Sequence, residues 1–232
     1  MVEHRSESTA RSQAFSIQRR PGENHPGNIA GRPELVAHQP VRIRVVIRAF
    51  IGVQIAPEVR ARIAEATAQL ARQIPGIRWV PEENFHFTLK FLGDIEQSQI
   101  EPICEALAEA FRPFRRFTIN AKCLGVFPDL KRARVLWVGL EGNNLLALAK
   151  RVEIVLEPFG YPRDNRVFRP HLTVGRWRAL SGSHKGLEDK LDRWSSFEFG
   201  QSVVDEIGLI ESVLKSTGAV YRRLRALRLD DD

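Results

Sequence analysis

The sequence is poor in cysteine, with only Cys104 and Cys123 in the whole chain. It contains no Cys-x-x-Cys pair and no histidine-rich spacing of the kind that builds a zinc site, so no metal centre is predicted. No apolar run approaches the length of a membrane-spanning helix, and the N-terminus lacks the hydrophobic segment of a secretory signal. A Gly-x-x-x-x-Gly-Lys phosphate loop is also missing, which leaves an ATP-driven activity without support. These absences predict a cytoplasmic protein without cofactor or membrane association.

Basic residues outnumber acidic ones, with 35 Lys and Arg against 28 Asp and Glu and a net charge of +7. The segment 1–40 holds five Arg and four Glu, so most of the excess belongs to the rest of the chain. A basic surface favours polyanionic partners such as RNA, although an arginine-rich protein can carry the same charge without binding nucleic acid. Charge therefore only supports a function that the motifs have to establish.

The chain divides by composition near residue 40. Residues 1–40 are rich in Ser, Arg, Gly, Pro and Asn and show neither helical nor strand periodicity, so we predict a disordered N-terminal extension that is either inert or an RNA-binding arm. Residues 41–232 are predicted to form a single domain of α+β class with two similar lobes. Its predicted strands are 41–55, 77–80, 85–92, 117–127, 134–140, 171–177, 203–214 and 220–229, and its predicted helices are 57–74, 99–111, 145–159 and 187–194.

Two strand segments share a His-x-Thr-apolar signature, FHFTL at residues 85–89 and PHLTV at 170–174. Side chains alternate between the faces of a strand, so His86 projects with Thr88 and His171 projects with Thr173. Hydrolysis of a phosphodiester needs one group that takes a proton from water and another that gives one to the leaving alkoxide. Imidazoles can do both near neutral pH. A polar strand face would explain one such motif, but the pair predicts an acid and a base beside phosphate-binding hydroxyls.

The two motifs resemble those of the two-histidine phosphoesterase superfamily. The likeness extends, in order and spacing, to the bacterial and archaeal RNA 2′,3′-cyclic phosphodiesterases, long called 2′–5′ RNA ligases. It rests on the segments RAFIGVQI (48–55), WVPEENFHFTLKFLGD (79–94), GVFPDLKRARVLWVGL (125–140), FRPHLTVGR (168–176) and IGLIESVLKSTGAVYRRL (207–224). The resemblance implies two lobes, each an antiparallel-rich sheet with helices on the outside, whose motif strands face each other across a central basic cleft.

The resemblance also implies roles for individual residues. His86 would protonate the leaving ribose 3′-oxygen, and His171 would activate the attacking water, which leaves a 2′-phosphate. Thr88 and Thr173 would hold nonbridging phosphate oxygens, and Arg176 would stabilise the charge of the transition state. The implied substrates are RNA ends or cyclic nucleotides, processed by a monomer without metal.

Four further residues are predicted to line the cleft. Arg48 and Phe50 match the family's first strand, where Phe50 would stack on a base and Arg48 would meet a phosphate. Strict alternation puts Lys90 on the face of the first motif and Phe91 on the opposite, apolar face. Tyr221 and the arginines around it would extend a track for RNA, although a solvated strand face is the alternative.

Two other functions remain compatible with these residues. A related phosphodiesterase acting on another cyclic nucleotide, or on a 2′–5′ linkage made in reverse, would have the same site. A non-catalytic RNA-binding protein would keep the lobes, but both intact motifs and Arg176 disfavour it. The sequence does not choose among the substrates.

Overall fold

The computed structural model describes residues 45–177, 186–216 and 218–231. The predicted N-terminal extension over residues 1–40 lies outside these residues. No helix within the described ranges is both long and apolar enough to cross a membrane. Cys104 is buried and Cys123 is half-buried, and both are free thiols.

The described residues form nine strands and four α-helices. In chain order these are β1 (Val46–Gln54), α1 (Pro57–Ala71), β2 (Ile77–Trp79), β3 (His86–Glu96), α2 (Ile100–Phe111), β4 (Phe117–Phe127), β5 (Val135–Glu141), α3 (Leu145–Leu156), β6 (His171–Trp177), α4 (Leu187–Asp192), β7 (Glu198–Val204), β8 (Glu206–Lys215) and β9 (Gly218–Arg228).

The helices form where apolar residues recur at three- and four-residue steps. Helix α1 begins at Pro57, where proline fits because the amide of the first helical residue has no hydrogen-bond acceptor within the helix. The helix buries Val59, Ile63 and Leu70. It ends at Ala71, short of the predicted end at Ile74. These apolar stripes pack on the sheet and complete one hydrophobic core.

The strands form one antiparallel sheet in the order β7-β4-β5-β6-β3-β1-β8-β9, with β2 added to β6. Its middle is weakly joined, because β3 and β6 share one residue pair, Phe87 with Leu172. The sheet therefore consists of two halves, lobe 1 (β3, β1, β8, β9) and lobe 2 (β7, β4, β5, β6). Helix α3 packs against β3, α2 against β9 and α1 against β7. The predicted α+β fold with two lobes is confirmed.

The predicted strand over residues 203–214 is wrong, because the chain changes lobes within it. Strand β7 ends at Val204 and pairs with β4, whereas β8 begins at Glu206 and pairs with β1. Asp205 is the single residue between them. No Gly or Pro stands at this junction, so the sequence carries no signal of the exchange of partner strands.

Each motif strand contains a β-bulge directly after its threonine. In β3, Thr88 pairs with Gly52 and Lys90 with Ile51, which leaves Leu89 as the extra residue. In β6, Thr173 pairs with Trp137 and Gly175 with Leu136, which leaves Val174 as the extra residue. A bulge adds one residue to its strand, so the side chains beyond it change faces relative to strict alternation.

Candidate active site

The two motifs meet on one face of the sheet at the junction of the lobes. Because β3 and β6 are antiparallel and paired at Phe87 and Leu172, this register places His86 beside Thr173 and His171 beside Thr88. Phe87 and Leu172 are both fully buried on the opposite face. The structure thus brings together the four residues that the sequence predicted as the centre of the site.

Both imidazoles are oriented by the same hydrogen bond. The Nδ1 atom of His86 lies 2.7 Å from the carbonyl oxygen of Asn84, and that of His171 lies 2.6 Å from the carbonyl oxygen of Arg169. A carbonyl oxygen only accepts, so Nδ1 carries the proton in both rings. Each ring therefore offers Nε2 to a substrate, as a base when neutral and as an acid when protonated.

The surroundings of the two rings differ. His86 contacts Phe50 and Tyr221, whose ring centroids are 4.7 Å and 4.8 Å away. His171 has an edge contact with Phe127 at 5.0 Å. The rings of Phe50 and Tyr221 also contact each other at 5.2 Å, so His86 packs against a pair of aromatic rings, whereas His171 contacts one.

Burial and positive charge both act on the two histidines. Burial lowers the pKa of His86 and of His171 below the usual 6.5, since it disfavours the imidazolium, and the Arg176 guanidinium lowers both further. The hydrogen bonds to the backbone carbonyls oppose this lowering of the pKa. At neutral pH both free imidazoles are therefore mostly neutral.

Arg176 reaches the site because of the bulge at Val174. Strict alternation would turn Arg176 away from His171, whereas the extra residue turns it to the same face, where its side chain is exposed. The guanidinium of Arg176 lowers the pKa of His86, His171 and Tyr221, so it lies near residues of both lobes.

Phe91 lies on the face of the two motifs, where the sequence did not predict it. The bulge at Leu89 turns it to the face of His86, where it is 67% exposed and lies 6.0 Å from the ring of Phe50. The prediction that it lies on the apolar face is therefore wrong. Phe91 is the fifth residue after His86, as Arg176 is the fifth after His171, and this shared spacing was the signal available in the sequence.

The same bulge removes Lys90 from the predicted cleft. Lys90 is 9% exposed, forms an ion pair with Glu153 of α3 and donates to the carbonyl oxygen of Pro162 at 2.7 Å. Its ammonium group thus joins β3 to the helix that covers the opposite face. The prediction that Lys90 shares a face with the first motif is wrong, because alternation breaks at Leu89.

Phe50 also has a different position from the one predicted. It is 2% exposed, and its ring is packed among His86, Phe91 and Tyr221. No base can stack on a ring so enclosed, so the predicted stacking role is wrong. Phe50 instead supports the ring of His86 from behind.

Arg48 and Tyr221 lie on the rim of the site. Arg48 is exposed, and Tyr221 is half-buried against His86. Burial raises the pKa of the Tyr221 hydroxyl, while the charges of Arg176 and Arg48 lower it. Both guanidinium groups therefore lie near the phenol. The phenol is thus protonated at neutral pH and able to donate a hydrogen bond.

Three arginines of β9 are occupied by carboxylates. Arg222 pairs with Glu211 at 2.7 Å, Arg225 with Glu101 at 2.8 Å, and Arg223 with Glu206. The alternative of a solvated strand face fits these three exposed and paired arginines better than a free track for RNA.

Within the described ranges, no group of three or more His, Cys, Asp and Glu side chains could hold a metal ion. The two histidines can transfer protons through their imidazoles, and the two motif threonines and Arg176 can assist with their hydroxyl and guanidinium groups.

Comparison with known proteins gives the same picture. The model of the LigT-like phosphoesterase family matches the chain twice, at residues 53–137 and 138–221. The chain is 38% identical to the RNA 2′,3′-cyclic phosphodiesterase of Aquifex aeolicus, over 76% of this chain and 94% of that protein. It is 30% identical to the protein of the same name from Methanocaldococcus jannaschii, over 77% and 99%. The crystal structure of TT0787 from Thermus thermophilus is 26% identical and covers 80% of this chain and all of that one, with a TM-score of 0.68.

The double match agrees with the register of the strands. The two matched segments begin at positions 53 and 138, and the same offset relates His86 to His171 and Phe91 to Arg176. The partner strands keep this offset as well, since Gly52 and Trp137 lie opposite the two motif threonines. The lobes therefore carry equivalent halves of one site.

Proposed function

Because the chain belongs to the LigT-like phosphoesterase family, we propose that it hydrolyses the 2′,3′-cyclic phosphate at an RNA end to a 2′-phosphomonoester. The observation that carries this proposal is the matched pair of imidazoles, each with Nδ1 bound to a backbone carbonyl and Nε2 left for substrate. The relatives named RNA 2′,3′-cyclic phosphodiesterase support the choice of substrate.

The reaction needs one proton to be taken and one to be given. Nε2 of neutral His171 accepts a proton from water as the water oxygen bonds to phosphorus. The bond from phosphorus to the ribose 3′-oxygen breaks, and protonated His86 gives its Nε2 proton to that oxygen. His171 then holds a proton and His86 has lost one, and exchange with solvent restores the starting state.

The phosphoryl oxygens need donors while this happens. Thr88 and Thr173 lie on the same face as the histidines, each beside the histidine of the other motif, so their hydroxyls can donate to nonbridging oxygens. Arg176 supplies a positive charge where negative charge grows in the transition state, which is where fixed charge is most effective.

The RNA chain beyond the cyclic phosphate would meet the rim. Arg48 is placed to contact a backbone phosphate, and Tyr221 to donate a hydrogen bond. Phe91 takes over the stacking role first assigned to Phe50, because its ring is exposed on the face of the site. We therefore assign Phe91 to the base of a nucleotide upstream of the terminal one.

The test is incubation of the protein with an oligonucleotide ending in a 2′,3′-cyclic phosphate, in excess EDTA. We expect complete turnover at an undiminished rate, with ³¹P NMR showing a 2′-phosphate, because two imidazoles supply both proton transfers. The variant with both histidines replaced by Ala is the control. Activity that EDTA removes and a divalent cation restores would refute the mechanism, and a 3′-phosphate product would refute the assignment of the leaving oxygen.

A further inference from the structure

A groove of about 550 Å³ opens beside the site, on the side of His86. It is walled by β1, β8 and β9 of lobe 1, by β7 of lobe 2 and by the start of α1. Its lining includes Gln54, Glu58, Val203, Asp205, Tyr221 and Arg223. We name it the lateral groove.

The lateral groove is continuous with the place where the leaving oxygen would lie. Tyr221 belongs to both, since it lines the groove and contacts His86 at 4.8 Å between ring centroids. Gln54 and Gly52, also in its wall, lie opposite His86 and Thr88 in the strand pairing. Neighbouring strands are about 4.8 Å apart, so β8 lies about 10 Å from the motif strand β3. A nucleoside whose 3′-oxygen meets His86 can therefore extend its base into the groove.

The floor of the groove is apolar where β1 and β8 pair. Gly52 pairs with Gly208, and the neighbouring side chains lie over both glycines, because a Cβ atom on Gly52 would meet the ring of Phe50 at 3.0 Å and one on Gly208 would meet Ile210 at 3.1 Å. The volume lies within the usual range for small-molecule sites and accommodates a nucleobase with its ribose.

The charge of the groove excludes a phosphate backbone. Its wall holds Glu58, Asp205 and Glu206 against one cation, Arg223, which already pairs with Glu206. Among the described residues, Glu58 and Asp205 have no ion-pair partner, and both side chains are exposed. Carboxylates repel phosphates and accept hydrogen bonds from exocyclic amino groups, such as the N4 amino group of cytosine.

Resting on the function proposed above, we propose that the lateral groove binds the base of the terminal nucleotide and favours bases that present an exocyclic amino group. Cytosine and uracil make the matched pair for this selection, because they differ where one carries an amino donor and the other a carbonyl acceptor. The amino group of cytosine donates a hydrogen bond to a carboxylate. The corresponding carbonyl oxygen of uracil is an acceptor, so it meets the same carboxylate unfavourably.

The experiment measures kcat and KM for cytidine 2′,3′-cyclic phosphate, uridine 2′,3′-cyclic phosphate and 1-O-methylribose 2′,3′-cyclic phosphate, which has no base. Val203→Trp fills the groove from an exposed position, where Val203 is 51% exposed. Val213→Trp is the matched control, because Val213 is 37% exposed on β8 and is outside the groove lining. Asp205→Asn is a second variant, which removes a charge without adding volume. Thermal melting of each variant verifies folding.

We expect wild-type kcat/KM to be about tenfold higher for cytidine than for uridine, the worth of one selective hydrogen bond. Val203→Trp should raise KM for both nucleosides about tenfold and leave the baseless substrate unchanged, while Val213→Trp changes neither. Asp205→Asn should reduce the preference for cytidine. Equal effects of Val203→Trp on all three substrates, or no effect on any, would refute the base site. A wild-type protein inactive on every cyclic phosphate would instead refute the proposed function, and this inference with it.

Discussion

The two lobes present the same scaffold but carry different residues at the fifth position after the histidine. Each places a histidine and a threonine before a bulge and turns the fifth residue after the histidine to the same face. That residue is Arg176 in lobe 2 and Phe91 in lobe 1. In the function proposed above, the repeat supplies two proton-transfer groups, and the difference assigns phosphate binding to the side of Arg176 and base stacking to the side of Phe91.

The packing around the two histidines differs in the same sense. Phe50 and Tyr221 both contact His86, whereas Phe127 contacts His171 on one edge. We assign the role of acid to His86 because it borders the lateral groove proposed to hold the nucleoside whose 3′-oxygen leaves. The more open imidazole of His171 suits the role of base, because water has to reach it.

The largest expected effect comes from removing each histidine. His86→Ala and His171→Ala should each lower kcat on a 2′,3′-cyclic phosphate by about two to four orders of magnitude, the usual worth of a general acid or base. The two roles separate on bis(4-nitrophenyl) phosphate, whose aryloxide leaves without a proton. There His86→Ala should lose less than about tenfold while His171→Ala keeps its full defect. A reversed pattern would exchange the two assignments. A near-normal rate of either variant on the 2′,3′-cyclic phosphate would exclude the substituted histidine from the mechanism.

Substitution of the fifth residue after each histidine should have smaller effects on the kinetics, and these effects should differ between the two lobes. Arg176→Ala should lower kcat by about a hundredfold, since it removes charge from the transition state. Phe91→Ala should leave kcat unchanged and raise KM for an oligonucleotide about fivefold, with no change for a mononucleotide, because it removes one stacking contact. Steady-state kinetics with both substrates measure the two effects. A loss of kcat in Phe91→Ala would contradict the division of roles between the lobes.

The pH dependence sharpens the comparison further. The rate rises as His171 loses its proton and falls as His86 loses its proton, so kcat/KM follows a bell that belongs to the coupled pair. Burial and Arg176 hold the pKa of both groups below 6.5, so the maximum should lie below pH 6.5. Arg176→Ala removes a positive neighbour, which raises both pKa values and moves the maximum to higher pH. A flat profile from pH 5 to 8, or a shift of the maximum to lower pH in this variant, would argue against the pair.

The smallest effect is expected from deletion of the N-terminal segment, residues 1–40. Deletion of residues 1–40, which have no apolar periodicity, should change kcat/KM by less than about twofold and leave the melting temperature nearly constant. Calorimetry and kinetics on the shortened protein check this expectation. A large fall in either quantity would show that these residues pack on the lobes or contribute to the site.

Much of the fold could be predicted because it depends on local patterns. Apolar residues at helical spacing located all four α-helices, and β-branched runs located eight of the nine strands. The exception, β7, was merged with β8 across Asp205, because a strand pattern does not report which neighbour the strand chooses. The arginines of β9 show the same limit, since their carboxylate partners come from β8 and from α2.

The sequence by itself determined the two His-x-Thr motifs, because side chains two apart on a strand share a face whatever surrounds them. Only the tertiary structure decided the faces of Lys90, Phe91 and Arg176, since a bulge arises when a strand must match the register of its neighbour. Tertiary packing also brought Tyr221 onto His86, from a strand at the other end of the domain's sequence. Local alternation is a property of one strand, whereas register and contact belong to pairs of strands that are distant in the sequence.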